Sequence, residues 1–239
     1  MGAVWVKINH LMQIKRATLD NCIQATGTVV VIDVLRAFTT AAFAFASGAE
    51  EIILVSSIGE AFALRRQMPG VLLMGEVDGF PIEGFDLTNS PAALLHADLS
   101  GKCILHRSTT GTQGVIKSKK AAHLMAASLV CASATARQIL RLSPDSLTFV
   151  ESGVFPGGWG DEDTACADLI VGLLKGEPSD HDRIIRRVRT SKSGLHYSLL
   201  NTVFPIEDLE LATDIDRFHF AMGIQRENEL LVMRPSLDP

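Results

Sequence analysis

The chain has few cysteines, and none of them forms a pair typical of metal or redox sites. Four cysteines are spread over 239 residues without any Cys-x-x-Cys pair, so a zinc knuckle or a dithiol redox site has no support. Most of these cysteines lie within apolar runs, where reduced cysteine is usually buried. Hydrophobic residues make up 47% of the chain, which is enough for a large core and argues against disorder.

The sequence also lacks the features of proteins that bind nucleic acids or membranes. The net charge is −5, and the one basic cluster, Arg183–Arg189, is interpreted as a solvated helix face, so no nucleic-acid partner is expected. The most apolar window, Ala37–Ala49, spans about a dozen residues and is too short to cross a bilayer. Met1–His10 lacks the pattern of a signal peptide. We therefore expect a cytoplasmic protein with no membrane partner, either a monomer or a homodimer.

Several catalytic motifs are missing as well. The chain has no Gly-x-Ser-x-Gly, no Walker A loop and no Gly-x-Gly-x-x-Gly, which removes the serine-hydrolase elbow and the common nucleotide-phosphate loops. A haloacid-dehalogenase-type phosphatase needs a second aspartate two residues after its nucleophile. After Asp33 that position holds Leu35, so the match to this class fails.

Alternating strand and helix patterns predict an α/β fold with a largely parallel sheet flanked by helices. The whole chain, 1–239, is expected to form one domain, with a subdivision near residue 100 into two packed α/β subdomains as an alternative. The predicted strands cover 29–32, 51–55, 71–74, 102–105, 124–130, 147–151 and 216–220, the last paired with 230–232. The predicted helices cover 37–47, 57–67, 133–141, 161–175 and 204–212, and another begins near 112.

Acidic residues follow two of the predicted strands. Asp33 ends the run of four β-branched residues at 29–32, and Glu76 follows the strand at 71–74. Ligands of open α/β sheets bind at the carboxyl ends of the strands, and Mg²⁺ favours a few carboxylates together with water and phosphate. Two such acids on neighbouring strands predict a metal site. The alternative is that Asp33 caps the next helix or pairs with Arg36.

Two polar loops are candidates for binding anions. Asn89-Ser90-Pro91 predicts a helix start that presents N–H groups, although simple capping explains the same residues. Arg107–Gly114 places hydroxyl residues and glycines between a strand and a helix, which is typical of a nest of N–H groups around phosphate. His106 precedes this loop and is the one histidine that we associate with it.

A third loop, Ser152–Asp163, is rich in glycine but ends in three acids. Acids at a helix start repel phosphate unless a cation lies between them. The helix dipole alone also stabilises acidic side chains at this position, so they need not be functional. Glu162 or Asp163 is therefore a candidate for reaching the metal or orienting a water.

The ordered motifs closely resemble the 2-phosphosulfolactate phosphatase (ComB) family. They are Val-Val-Ile-Asp-Val-Leu-Arg-Ala at 30–37, Gly75-Glu76, Gly84-Phe85-Asp86, Asn89-Ser90-Pro91, Ser108–Thr112 and Glu162-Asp163. The resemblance implies Mg²⁺-dependent hydrolysis of a phosphate ester on a sulfonated hydroxy acid, a step toward coenzyme M. Two positions depart from the family pattern, because Val77 and Gln113 stand where relatives commonly carry arginine. Arg107 is a candidate to replace one of these charges.

Together, the residues and the resemblance predict a phosphomonoesterase that acts on a small phosphorylated hydroxy acid. Catalysis is assigned to Asp33, Arg36 and Glu76, and the metal to Asp33, Glu76 and Asp163. Substrate binding is assigned to Asp86, Asn89, Ser90, Arg107, Ser108, Thr109, Thr110, Gly111 and Thr112. The attacking group is a water or, as the alternative, Asp33 itself. A non-catalytic sensor of a small phosphorylated or sulfonated acid is the alternative function.

Overall fold

The computed structural model describes residues 12–237, which form a mostly parallel sheet of eleven strands flanked by eight helices. The strands are β1 (Gln13–Ala17), β2 (Gly27–Ile32), β3 (Glu51–Leu54), β4 (Leu72–Val77), β5 (Phe80–Pro81), β6 (Leu87–Thr88), β7 (Cys103–Arg107), β8 (Ala121–Ala127), β9 (Ser146–Glu151), β10 (Phe220–Glu227) and β11 (Leu230–Leu237). The helices are α1 (Ala37–Ala46), α2 (Ile58–Gln67), α3 (Pro91–Leu94), α4 (Gly111–Lys117), α5 (Ala132–Leu142), α6 (Asp161–Lys175), α7 (His181–Thr190) and α8 (Ile206–Ala212). The α/β fold predicted from the sequence is confirmed.

The sheet consists of two parallel groups joined by a hairpin. β1, β9, β2 and β8 form one group, and β3, β7, β4 and β6 form the other. β10 and β11 lie between them as an antiparallel hairpin, with β10 paired to β8 and β11 paired to β3. Because all three of these pairings are antiparallel, the two parallel groups run in opposite directions.

Both groups bury one face against the same helices. Val29 and Val31 of β2 share an apolar cluster with Ile52 of β3 and Ile104 of β7, and nearly all of α1 is buried within it. A helix that is apolar all round belongs inside a core, which explains why α1 lies there. The alternate residues of β2 face the opposite side of the sheet, where they pack with α5 and α6.

Helix α4 connects the two groups. It follows β7 of one group, yet it packs against β2 of the other as well as against β3. A Cβ atom on Gly114 would lie 2.8 Å from Val31 Cγ1, so a glycine is needed for this close approach. The contact brings the loop before α4 to the carboxyl end of β2.

Two predicted strands are wrong in their extent. The strand predicted at 124–130 ends at Ala127, because the next residues form a short 3₁₀ turn whose carbonyl groups accept bonds from Asp216 and Phe218. The strand predicted at 216–220 begins only at Phe220. Asp216 has a positive φ of 59°, and its carboxylate caps α5 through Ser133.

The structure tests some of the remaining predictions about the fold and leaves others open. The basic cluster lies on α7, where Arg183, Arg186 and Arg189 are exposed, so the solvated helix face is confirmed. All four cysteines are free. The subdivision near residue 100 stays a prediction, although β7 lies between β3 and β4 in the sheet. Within residues 12–237, no helix combines the length and the apolar character needed to cross a membrane. Met1–His10 lies outside the described residues.

Candidate active site

A cleft of about 560 Å³ opens where loops after β2, β4, β7 and β9 meet the segment that follows α7. Its polar lining comes from Asp33, Arg36, Glu76, Asp78, Gly79, Asn89, Thr109 and Thr110. Its apolar lining comes from Leu35, Phe155, Pro156, Trp159, Tyr197 and Phe204, with Ser193 and His196 beside them. Six of the residues predicted for the site therefore meet at one place.

Asp33 is held rigidly at the end of β2. Its Oδ1 accepts a bond from the Ala37 amide at 2.9 Å, so it caps α1 as the alternative interpretation proposed. Its Oδ2 accepts bonds from the Thr110 hydroxyl at 2.7 Å and from the Ser152 hydroxyl at 3.3 Å. Burial and the neighbouring Glu76 and Glu162 raise the pKa of Asp33 to about 6, although these hydrogen bonds oppose the shift.

Glu76 is fixed in the same way at the end of β4. Its Oε1 accepts a bond from the Thr109 amide. Its Oε2 accepts bonds from the Gly79 amide at 2.6 Å and from the Thr109 hydroxyl at 3.0 Å. Arg107 supports the strand end, because its guanidinium donates to the Glu76 carbonyl. The carboxylate of Glu76 is therefore oriented by backbone and hydroxyl donors.

The loop before α4 ties the two acids together. Thr109 bonds Glu76, and the next residue, Thr110, bonds Asp33. β2 and β4 are not neighbours in the sheet, so the prediction that the two acids follow adjacent strands is wrong. Gly111 is required here, because a Cβ atom would lie 2.7 Å from Asp33 Oδ2 and 3.1 Å from the Ala37 Cβ.

Arg36 pairs with an acid that the sequence analysis missed. Its guanidinium donates to the carboxylate of Asp208 on α8 and to the Gly79 carbonyl at 3.2 Å. Arg36 is only 6% exposed and Asp208 is fully buried. The expected pairing of Arg36 with Asp33 is therefore absent within the described contacts, because Asp208 occupies the guanidinium.

Asp208 also occupies the start of α3. Its Oδ1 accepts bonds from the Ser90 hydroxyl at 2.7 Å and from the Ala92 amide at 3.0 Å. An internal carboxylate already takes the Ser90 hydroxyl group and the nearby N–H, so the position of Ser90 does not support its assignment to substrate, which stays a prediction. Ser90 also caps α3 through the Ala93 amide, as the sequence predicted. Asn89 remains in the cleft lining.

His106 lies behind Asn89 and is fully buried. Its Nε2 is 3.2 Å from Asn89 Oδ1, and no described residue bonds its Nδ1. Burial lowers the pKa of His106 to about 3, so the ring is neutral. With the Asn89 oxygen facing a neutral imidazole N–H, the two amide protons of Asn89 are left for other acceptors.

The acids at the start of α6 form a second layer behind Asp33. Asp163 accepts bonds from the amides of Val34 at 2.8 Å and Gly153 at 2.7 Å, and it does not line the cleft. Burial, with repulsion from Asp33 and Glu162, raises the pKa of Asp163 well above its ordinary value. Glu162 is 3% exposed, and its Oε2 has no described hydrogen-bond partner. Asp163 therefore fixes the two loops, and its predicted role as a metal ligand has no support from its position.

The chemistry of the donor set fits a divalent cation held by two carboxylates. No set of three acidic, histidine or cysteine side chains within residues 12–237 converges in a way that would hold a metal ion. Mg²⁺ commonly uses only one or two carboxylates, with water and phosphate as its other ligands. Asp33 and Glu76 line one cleft, and Arg36, the one arginine among the described lining residues, is already paired. Arg107 donates to the Glu76 carbonyl from outside this lining. The negative charge of the two acids has no free protein cation in the lining to balance it.

Besides Ser90, five predicted binding residues lie outside the cleft lining, namely Asp86, Arg107, Ser108, Gly111 and Thr112. Asp86 binds Arg65 at 3.0 Å and the Leu73 amide at 2.8 Å, so it is a structural acid. Ser108 and Thr112 are buried and cap α4 reciprocally. Arg107 contacts the back of Glu76 rather than the cleft. Of the N–H groups assigned to phosphate, those of Thr109 and Thr112 already have protein acceptors.

The sequence analysis missed two parts of the site. Asp78-Gly79 forms the tight turn between β4 and β5, with positive φ at both residues, and Asp-Gly between apolar residues is a known signal for such a hairpin. The aromatic wall comes from loops with no local motif. A usable signal was composition, since the wall contains one of the two tryptophans of the chain and its single tyrosine.

The mostly parallel sheet and this cleft define an α/β protein with an acid-lined site at its strand ends. The family model of 2-phosphosulpholactate phosphatase matches residues 13–225, and the chain belongs to this family. The resemblance found in the sequence is confirmed.

Curated relatives carry the same family name. A probable 2-phosphosulfolactate phosphatase of Bacillus subtilis (strain 168) is 32% identical over 203 residues, which cover 84% of this chain and 88% of the relative. One from Carboxydothermus hydrogenoformans is 47% identical over 146 residues, covering 61% of this chain and 60% of the relative. One from Thermoplasma volcanium is 32% identical over 189 residues, covering 78% and 84%.

The buried ion pair gives the first testable prediction. Asp208→Asn leaves the Arg36 charge buried without its partner, so the free energy of unfolding should fall by about 3–5 kcal/mol. Asp214→Asn is the control, because Asp214 pairs with Arg217 at 2.6 Å in an exposed ion pair. The Asp214 side chain is 48% exposed and the Arg217 side chain is 40% exposed. That change should cost about 1 kcal/mol or less. Urea denaturation measures both, and equal losses would contradict the role given to Asp208.

The buried histidine gives a prediction about pH. The folded-state pKa of His106, about 3, lies below its ordinary value of 6.5, so its contribution to stability is complete above pH 6.5. As the pH falls from 6.5 toward 3, the unfolded state takes up a proton and stability declines by up to about 1.4 kcal/mol per pH unit.

His106→Gln keeps a side-chain N–H donor but does not titrate. Denaturation curves of this variant and the wild type, taken between pH 7 and pH 4.5, should differ by an amount that changes with pH. Asp33 and Asp163, whose pKa values are raised, are present in both proteins, so their contributions to the pH dependence of stability cancel when the two curves are subtracted. His123→Gln, at an exposed position, is the control and should follow the wild type. A difference that is constant over this range would refute the prediction.

Proposed function

We propose that the chain is a Mg²⁺-dependent phosphatase that hydrolyses a phosphomonoester of a small hydroxy acid, 2-phosphosulfolactate-like, to the free alcohol and phosphate. The main support is the convergence of Asp33, Glu76 and Arg36 with the Thr109–Thr110 loop on one cleft. These groups come from distant parts of the chain and are held by hydrogen bonds to the backbone and to hydroxyl groups. Family membership and the names of the relatives support the same reaction.

Asp33 and Glu76 are the residues that would hold the cation. Each carboxylate oxygen can accept more than one bond, so the protein donors already present leave room for a metal contact. When bound, Mg²⁺ would neutralise charge on the phosphoryl group and favour ionisation of an attacking water. The uncompensated acids of the cleft support this proposal, because a phosphate dianion would otherwise be repelled.

Arg36 and Asn89 are the donors proposed for the phosphoryl oxygens. A guanidinium has five N–H groups, and the described bonds of Arg36 to protein use two of them. Asn89 contributes its amide protons, because His106 holds its oxygen. Oriented donors that need no rearrangement stabilise charge as it spreads over the phosphoryl oxygens. We favour water over Asp33 as the attacking group, since Leu35 replaces the second acid of aspartyl phosphatases.

The assembly and location follow as further parts of this proposal. We propose a homodimer, because Leu195, Leu199 and Leu200 are 70%, 83% and 94% exposed and a second copy would cover them. Static light scattering at micromolar concentration should give twice the chain mass of 25.8 kDa. A single chain mass at that concentration would contradict the dimer.

Four free cysteines agree with a reducing, cytoplasmic location.

The catalytic assignment is tested by Asp33→Asn. Hydrolysis of 2-phosphosulfolactate and of a panel of phosphomonoesters in Mg²⁺ should fall at least about a hundredfold, because the oriented anionic oxygens are lost. Asp86→Asn is the matched control, since Asp86 binds Arg65 away from the cleft, and its activity per folded molecule should be retained. Chelation should abolish wild-type activity, and added Mg²⁺ should restore it.

Circular dichroism verifies that both variants are folded. An unchanged rate in Asp33→Asn would remove Asp33 from the mechanism. A thermal shift on adding the phosphate esters, with no phosphate released by the wild type, would instead identify a sensor module.

A further inference from the structure

One wall of the cleft provides none of the hydrogen-bond donors or carboxylates that the proposed function assigns to the phosphoryl group and the metal. It is built from aromatic side chains on two loops, 152–160 and 191–205. Phe155, Trp159, His196, Tyr197 and Phe204 all line the cleft. Aromatic residues are only 6% of the chain, so their concentration at one wall calls for an explanation.

Four of these rings, those of Trp159, His196, Tyr197 and Phe204, form one continuous surface. The Trp159 and His196 ring centroids are 5.4 Å apart, and His196 lies 6.0 Å from Phe204. Tyr197 lies 5.6 Å from Phe204 on its other side. All three contacts are edge-to-face, the arrangement that aromatic pairs favour, so each ring helps to position the next.

The aromatic wall is attached directly to the phosphate side of the cleft. The Arg36 guanidinium lies 5.1 Å from the Phe204 ring centre and 5.7 Å from the Tyr197 ring centre. A Cβ atom on Gly79 would lie 2.5 Å from the Phe204 ring, so the β4–β5 turn packs closely on it. A phosphoryl group bound at Arg36 would therefore have the aromatic surface within reach of its ester oxygen.

The size and charge of the cleft favour an apolar group on that surface. About 560 Å³ is within the range of pockets that enclose drug-sized ligands, well beyond what a phosphoryl group needs. The lining contains three acids, Asp33, Glu76 and Asp78, against Arg36, which is already paired with Asp208. Beyond the carboxylate that every hydroxy acid carries, a further anionic group on the alcohol would meet no unpaired arginine or lysine among these lining residues, and Lys192 beside the Trp159 ring already donates to the Gly157 carbonyl. A ring on the alcohol would instead meet rings.

We propose that the cleft contains an aromatic subsite that binds the alcohol part of a phosphomonoester when that part has a ring or a similar planar apolar group. The inference rests on the proposed phosphatase function and names a substrate class for the same site. 2-Phosphosulfolactate has no ring and would leave this subsite unfilled. The subsite thus extends the range of hydroxy acid esters that the cleft accepts.

The test uses two esters whose leaving groups are both α-hydroxy carboxylates, so the bond that breaks has the same chemical surroundings in each. O-Phospholactate and O-phospho-3-phenyllactate are both α-phosphorylated hydroxy acids, and they differ by a phenyl ring. With Mg²⁺ present, kcat/KM should be about tenfold or more higher for the phenyl compound, mainly through a lower KM. A ratio near one, or a ratio that favours phospholactate, would overturn the proposal.

Three variants locate the effect. Trp159→Leu keeps apolar bulk but removes a ring, so the ratio of the two kcat/KM values should fall severalfold, whereas Trp159→Phe should preserve most of it. Phe62→Leu is the matched control, because Phe62 packs against Phe85 away from the cleft, and its ratio should equal that of the wild type. Equal ratios in Trp159→Leu and Phe62→Leu would also overturn the proposal.

A binding measurement separates this inference from the proposed function. If neither these esters nor 2-phosphosulfolactate is hydrolysed, the phosphatase proposal fails, and calorimetric titration with 3-phenyllactate and with lactate then tests the subsite alone. Tighter binding of phenyllactate, weakened in Trp159→Leu, would support the subsite. Equal affinities for the two acids would reject it.

Discussion

The site depends on a short hydroxyl link between two carboxylates. Thr109 bonds Glu76 and Thr110 bonds Asp33, so two consecutive residues fix acids that belong to parallel groups of opposite direction. The link forms because α4 follows β7 yet packs on β2, where Gly114 allows the close contact. The cleft therefore forms because α4 packs against both parallel groups of the sheet. The carboxyl ends of neighbouring strands in one group would not be enough to form it.

Charge is the second constraint on the site. The Arg36 guanidinium is balanced by the buried Asp208, and this carboxylate also occupies the start of α3. Arg36 can therefore donate hydrogen bonds without adding net positive charge, which leaves the charge of Asp33 and Glu76 uncompensated. Two uncompensated carboxylates would repel a phosphate ester, so the internal ion pair is one of the observations from which we propose a metal for this reaction.

The sequence predicts what local patterns determine. Most strands and helices, and the strand-end positions of Asp33 and Glu76, follow from apolar periodicity and turn residues. Ser90 caps α3 as its local pattern predicts, but its bond to Asp208 is not marked by any local pattern, because Asp208 lies 118 residues away. The bond of Asp86 to Arg65 likewise joins separate segments, so the structural role of Asp86 could not be read from its own loop. Long-range partners decide whether a polar residue is functional or structural.

The contacts between Arg36 and the aromatic wall would couple the proposed binding of phosphate to the proposed recognition of the alcohol. The Arg36 guanidinium lies over the rings of Phe204 and Tyr197 while it donates hydrogen bonds to Asp208 and Gly79. The rings thus exclude water from a guanidinium that also lines the phosphate side, and a drier donor bonds an anion more strongly. An apolar alcohol seated on the same rings would remove more water from that donor. The group that identifies the ester would therefore strengthen the contacts that hold its phosphate.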